Sequence, residues 1–164
     1  IDVNLMIFIY VLNLFVDEMI ASQERCHIIN TSSMAGIIVG PALAPYTTTK
    51  HAVVGLTRTL HEDLADNDMV GVSVLCPGLV QTNIIERDHL GLDLDESSID
   101  QHESAKNNAQ WLADGVKEGM TPDDLATIVF KKIENNEFWI LTHPEFIEVY
   151  SGYSKELIES STKE

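Results

Sequence analysis

The chain has 164 residues, 45% hydrophobic and 22% charged, which is enough for one domain with a sizeable core. Its 10 basic and 26 acidic groups give a formal charge of −16, which argues against nucleic acid or an anionic membrane surface as partner. The charge is uneven: residues 1–60 carry net −1 and residues 61–164 net −15, so the acid reads as solvated faces of the later helices and loops.

Residues 3–22 read as a helix. Its apolar stretch 5–16 contains Asn13 and is flanked by Asp2, Asn4, Asp17 and Glu18, too short for a membrane span of about 20 residues. A signal peptide calls for a basic start, and here the start has Asp2. A helix apolar nearly all round is expected to be buried, in a core and against a partner subunit. Cys26–Thr31 is a short β-branched strand. Residues 32–45 form a loop punctuated by Gly36, Gly40, Pro41 and Pro45. The spacing then predicts a helix over 46–65 with Ala52, Val53, Leu56, Leu60 and Leu64 on its inner face.

A second strand is expected at 70–75, ended by Cys76-Pro77-Gly78. A polar, acidic stretch follows, with helix at about 105–118. Thr121-Pro122-Asp123-Asp124 combines an N-cap, a first-turn proline and first-turn acids, so a helix runs from there to about residue 135. Residues 137–141 form a third strand and 144–158 a last helix. Strands that alternate with helices and read as continuous apolar runs indicate an α/β fold with a parallel sheet covered on both faces. Three parallel strands leave open edges, so further strands are expected upstream of residue 1. Cys26 and Cys76 lie in or beside strands and read as buried reduced thiols, which fits a cytoplasmic protein.

The chemistry concentrates in three residues. Tyr46 and Lys50 are four apart and share one helix face. An ammonium beside a phenol favours the phenolate and brings it toward general acid–base work near neutral pH. Ser33 opens the loop after the first strand, where α/β proteins place functional groups and where its hydroxyl can donate to a carbonyl oxygen. Metal chemistry finds little support. His61-Glu62-Asp63-Leu64-Ala65 has Ala65 where a zinc-protease helix needs its second histidine, and the six histidines and two cysteines show no ligand spacing. His51 points off the Tyr46/Lys50 face and reads as a packing or surface residue. Met34, Met69, Met120 and Trp111 read as core or lid.

In context these residues form a pattern. Asn30-Thr31-Ser32-Ser33-Met34-Ala35-Gly36, then Pro45-Tyr46-Thr47-Thr48-Thr49-Lys50-His51-Ala52-Val53, then Cys76-Pro77-Gly78-Leu79-Val80-Gln81-Thr82 resemble the short-chain dehydrogenase/reductase family, in its large classical branch, over about residues 1–85. Residues 138–144 (FWILTHP) resemble the last strand of some bacterial members. The resemblance implies a Rossmann-like doubly wound sheet, of which residues 1–164 would be the C-terminal, catalytic and substrate-binding part, with a substrate lid at about 83–120. It implies NAD or NADP as cofactor, a small alcohol or ketone as substrate, and a homodimer or homotetramer. It assigns proton exchange to Tyr46, ribose binding and tuning of Tyr46 to Lys50, and carbonyl polarisation to Ser33. Asn4 would hold a water linked to Lys50, and Pro77, Gly78, Val80 and Thr82 would line the nicotinamide. The nine glycines never form the family's Thr-Gly-x-x-x-Gly-x-Gly phosphate loop. The chain alone is therefore expected to bind dinucleotide poorly and to be aggregated or molten. The alternative reading is an inactive fragment serving at most as an oligomerisation or interaction module.

Overall fold

A computed structural model describes residues 1–85 and 103–162. Residues 86–102, most of the expected lid up to its helix, lie outside the described residues. The order is α1 (Ile7–Ser22), β1 (Cys26–Thr31), α2 (Ala44–Asp63), β2 (Val70–Cys76), α3 (Glu103–Glu118), α4 (Pro122–Glu134), β3 (Trp139–Leu141) and α5 (Ile147–Ser161). The strands form one parallel sheet in the order β1-β2-β3, with Cys26 opposite Val70 and Val74 opposite Trp139. β2 is central and buried almost throughout, hence its unbroken apolar run.

Two apolar clusters follow one another along β2. Ile28, Val70 and Val72 pack with Leu60 of α2, with Leu64 just after it, and with Leu12, Val16, Met19 and Ile20 of α1. Met34, Ile37, Val74, Cys76 and Phe138 form the second, beneath the ends of the strands where the site lies. α4 starts as its sequence dictates: the Thr121 hydroxyl accepts from the Asp124 N–H at 3.2 Å, Pro122 sits in the first turn, and Lys131 and Lys132 occupy the last.

α1 packs one face on the sheet, while Ile7, Tyr10, Leu14 and Phe15 on its remaining surface are at least half exposed in the single chain. Together with the π-helical turn Asp2–Met6, α1 makes a 21-residue helix whose most apolar 18-residue stretch has mean hydropathy 1.8, long and apolar enough by length and composition to cross a membrane. The buried positions of α2 are Thr49, Val53 and Thr57, not Leu56, because Thr57 satisfies its hydroxyl with Val53 O (2.7 Å) and Asn30 Nδ2 (3.0 Å). Cys26 is only half-buried, though both thiols are free, and Trp111 is 51% exposed.

A polar bridge crosses the sheet. Ser73 Oγ donates to Glu137 O at 2.7 Å and therefore accepts from His27 Nε2–H at 2.6 Å. The Gly71 backbone closes over the other ring nitrogen: a Cβ there would stand 2.2 Å from His27 Nδ1. Burial lowers the His27 pKa from 6.5. Below 6.5 the unfolded chain then binds more protons than the folded one, so stability falls as the pH drops through 6.5 toward the lower folded value. In a protein joining this chain to a pyrophosphate-binding half, denaturant unfolding at pH 7.5 and 5.5, at fixed protein concentration, should show a smaller pH dependence in His27→Gln than in the parent. An unchanged dependence contradicts the assignment.

Candidate active site

The site lies at the ends of β1 and β2, where a parallel sheet delivers its loops. Ser33 has extended backbone (φ −173°, ψ 165°), and its Oγ accepts from the Ala35 N–H at 3.1 Å, which starts the 3-10 turn Met34–Gly36. That turn is held on several sides. Ser32 N donates to Leu75 O (2.7 Å), Ser32 Oγ to Lys50 O (2.8 Å) and Met34 N to Pro77 O (2.8 Å). Gly36 lets it approach α2, since a Cβ there would lie 2.8 Å from the Lys50 carbonyl oxygen and 2.9 Å from a Val54 methyl.

Tyr46 and Lys50 occupy successive turns of α2, which begins two residues earlier than its spacing predicts because Pro45 fits a helical first turn. The Lys50 Nζ lies 5.6 Å from the Tyr46 ring centroid, within cation–π reach, and donates to Thr31 O at 3.4 Å. Lys50 is half-buried, and burial pulls its ammonium below the ordinary lysine range. Behind it, burial pushes the Cys76 thiol up to about 12, so Cys76 is packing rather than a nucleophile.

Asn4 sits in the π-helical turn Asp2–Met6, a local widening of the kind often found at functional sites. It lines a cavity of about 420 Å³ with Ile1, Pro45, Tyr46, Thr48 and Thr49. Among the described residues the Thr47 Oγ1 is buried without a partner. Asn4 and Tyr46 thus share a concavity, while Lys50 reaches β1 at Thr31 O and Ser33 opens the turn whose Met34 N–H donates to Pro77 O. Among the described residues no hydrogen bond joins Asn4, Ser33, Tyr46 and Lys50 directly to one another.

The segment after β2 is fixed by its backbone. Pro77 O accepts from Met34 N. Gly78 N donates to Thr142 Oγ1 and His143 Nδ1, each at 3.2 Å. Leu79 O accepts from Met120 N at 3.0 Å and Gln81 N donates to Met120 O at 2.9 Å, forming a bridge at Val80. α3 comes this close through Gly119, where a Cβ would stand 2.5 Å from Leu79 O. Thr82 is exposed, and its Oγ1 accepts from Ile84 N at 3.5 Å. Sequence reasoning passed over Thr142, His143 and the α3 glycines. The signal available was the position of Thr142-His143 directly after the last strand.

The short chain dehydrogenase family profile matches residues 1–91. The chain is 31% identical over 148 residues to the CLA biosynthesis dehydrogenase/reductase of Lactiplantibacillus plantarum, covering 88% of this chain and 52% of that protein. It is 30% identical over 154 residues to the C alpha-dehydrogenase of a Sphingobium species, covering 89% and 47%. Its fold matches the crystal structure of a short chain dehydrogenase/reductase from Burkholderia phymatum in complex with NAD, with a TM-score of 0.84, 31% identity, and coverage of 96% of this chain and 57% of that one. The chain belongs to the short chain dehydrogenase family. It spans about half the length of the curated relatives it matches.

Proposed function

We propose that this chain is the nicotinamide-side, catalytic part of an NAD- or NADP-dependent oxidoreductase that interconverts a secondary alcohol and a ketone. The observation that carries the reading is Lys50 over the Tyr46 ring at the open end of a parallel sheet, facing a turn whose backbone is already immobilised. The residues present fit one end of the dinucleotide. The Lys50 ammonium has donor capacity beyond its long 3.4 Å bond to Thr31 O and can hold ribose hydroxyls. The Pro77–Thr82 segment, with Gly78 and Val80, offers a rigid wall for the nicotinamide. No glycine pattern in the chain suits the pyrophosphate.

When bound, the nicotinamide supplies or accepts the hydride. The Tyr46 hydroxyl gives the proton to the substrate oxygen or takes it away, Ser33 Oγ donates to that oxygen, and Asn4 holds a water on the Lys50 side. Trp111 and Met120 belong to the segment assigned by the family resemblance to, or next to, the substrate lid. Two free thiols fit a cytoplasmic setting.

The test is Lys50→Met, in a protein joining this chain to a pyrophosphate-binding half. It should weaken dinucleotide binding and lower turnover, because the ribose contact and the ammonium beside the Tyr46 ring are lost together. If affinity and turnover both stay in place, Lys50 is only a helix-surface residue.

A second reading has its own support. The exposed residues Val3, Ile7, Tyr10 and Leu14 recur at spacings of four, three and four, a stripe suited to helix pairing. With the missing glycine pattern, this favours an inactive oligomerisation module for the polypeptide taken alone.

A further inference from the structure

The end of β3 reaches across to the turn that follows β2. Gly78 N–H points at both Thr142 Oγ1 and His143 Nδ1, 3.2 Å from each. A backbone amide can only donate, so Nδ1 of His143 presents its lone pair and carries no proton. The Thr142 hydroxyl, 2.7 Å from Nδ1, donates to the same nitrogen while its own lone pairs face Gly78. Thr142 is buried, and the imidazole is backed by Phe146 at a centroid distance of 6.1 Å. The ring lies directly on Gly78, where a Cβ would come within 2.5 Å of Cγ and Nδ1. This contact explains a glycine at 78: the ring occupies the place of a side chain.

We infer that His143 is a positioning residue, which uses its unprotonated Nδ1 to hold the Gly78 amide and with it the Gly78–Thr82 segment. The inference rests on the proposed role of that segment as the nicotinamide wall, and it gives this wall a specific holder. A ring with hydrogen on Nδ1 cannot accept from Gly78, so the neutral tautomer with its proton on Nε2 is the competent one. Asparagine can offer an amide oxygen in place of the ring nitrogen, whereas leucine fills the space with no acceptor.

The test is hydrogen exchange, without dinucleotide, of a protein joining this chain to a pyrophosphate-binding half, read at the Gly78 amide by fragmentation mass spectrometry. The Val74 amide, which donates to Phe138 O at 2.8 Å in the central strand, is the internal reference. Because Thr142 Oγ1 also accepts from the Gly78 amide, the comparison is made in a Thr142→Val background, where His143→Leu should speed exchange at Gly78 by about tenfold, the upper end of what one lost hydrogen bond gives, while Val74 changes little. His143→Asn should restore most of the Gly78 protection. Equal loss at Gly78 and Val74 would mean that the histidine only stabilises the fold, and that result overturns the inference. Unchanged exchange in His143→Leu, failure of asparagine to rescue, or an unprotected Gly78 in the parent chain overturns it as well. Because no dinucleotide is present, the outcome is independent of whether the nicotinamide reading itself stands.

Discussion

Replacing Tyr46 by phenylalanine is expected to lower turnover by about 10²–10⁴-fold, the range that a positioned proton donor contributes, while dinucleotide affinity stays near that of the parent. The experiment needs a protein in which this chain is joined to a pyrophosphate-binding half. Phenylalanine keeps the ring that borders the cavity with Asn4 and Pro45 and that lies 5.6 Å from the Lys50 ammonium. Only the hydroxyl is removed, so packing and the cation–π contact survive and the loss reports proton transfer. A variant within about threefold of the parent, far short of that range, removes Tyr46 from the chemistry.

The second large effect concerns association. β1 is an edge strand: it pairs with β2 on one side, and its other side has no strand partner among the described residues. Unpaired parallel edges template intermolecular pairing. On the same side of the sequence, α1 exposes Ile7, Tyr10, Val11, Leu14 and Phe15. The charge that opposes association lies almost wholly beyond residue 60. The 164-residue chain expressed alone should therefore elute well above its 18.2 kDa mass and bind a hydrophobic dye. Asp or Lys at both Ile7 and Leu14 should shift it toward smaller species. A monodisperse monomer that melts cooperatively would show that this chain suffices as a closed unit.

How much of this was legible depended on range. β1 has the bounds that its β-branched run predicts, and Thr121 caps α4 as its motif requires, since both are set within a few residues. The Tyr46/Lys50 pair follows from helical spacing alone. α1 reads correctly as an apolar helix with one face on the sheet, but composition does not tell how much of its other face a partner covers. Thr49 and Thr57 were missed as buried positions because a threonine whose hydroxyl is satisfied by the preceding turn, at Tyr46 O or Val53 O, packs against a sheet like a small apolar residue. His143 was invisible for a different reason. Its partner Gly78 is 65 residues away, and only the register of β3 beside β2 brings them together.

The central claim is that this chain supplies the proton-transferring half of a dinucleotide-dependent enzyme. The most direct measurement is to read the coding sequence upstream of Ile1. The account predicts an in-frame segment carrying a Thr-Gly-x-x-x-Gly-x-Gly loop between a strand and a helix, able to receive a pyrophosphate at the helix N-terminus. An in-frame stop codon immediately before Ile1, or an upstream segment without such a loop, would contradict the enzymatic reading and leave the interaction module in its place.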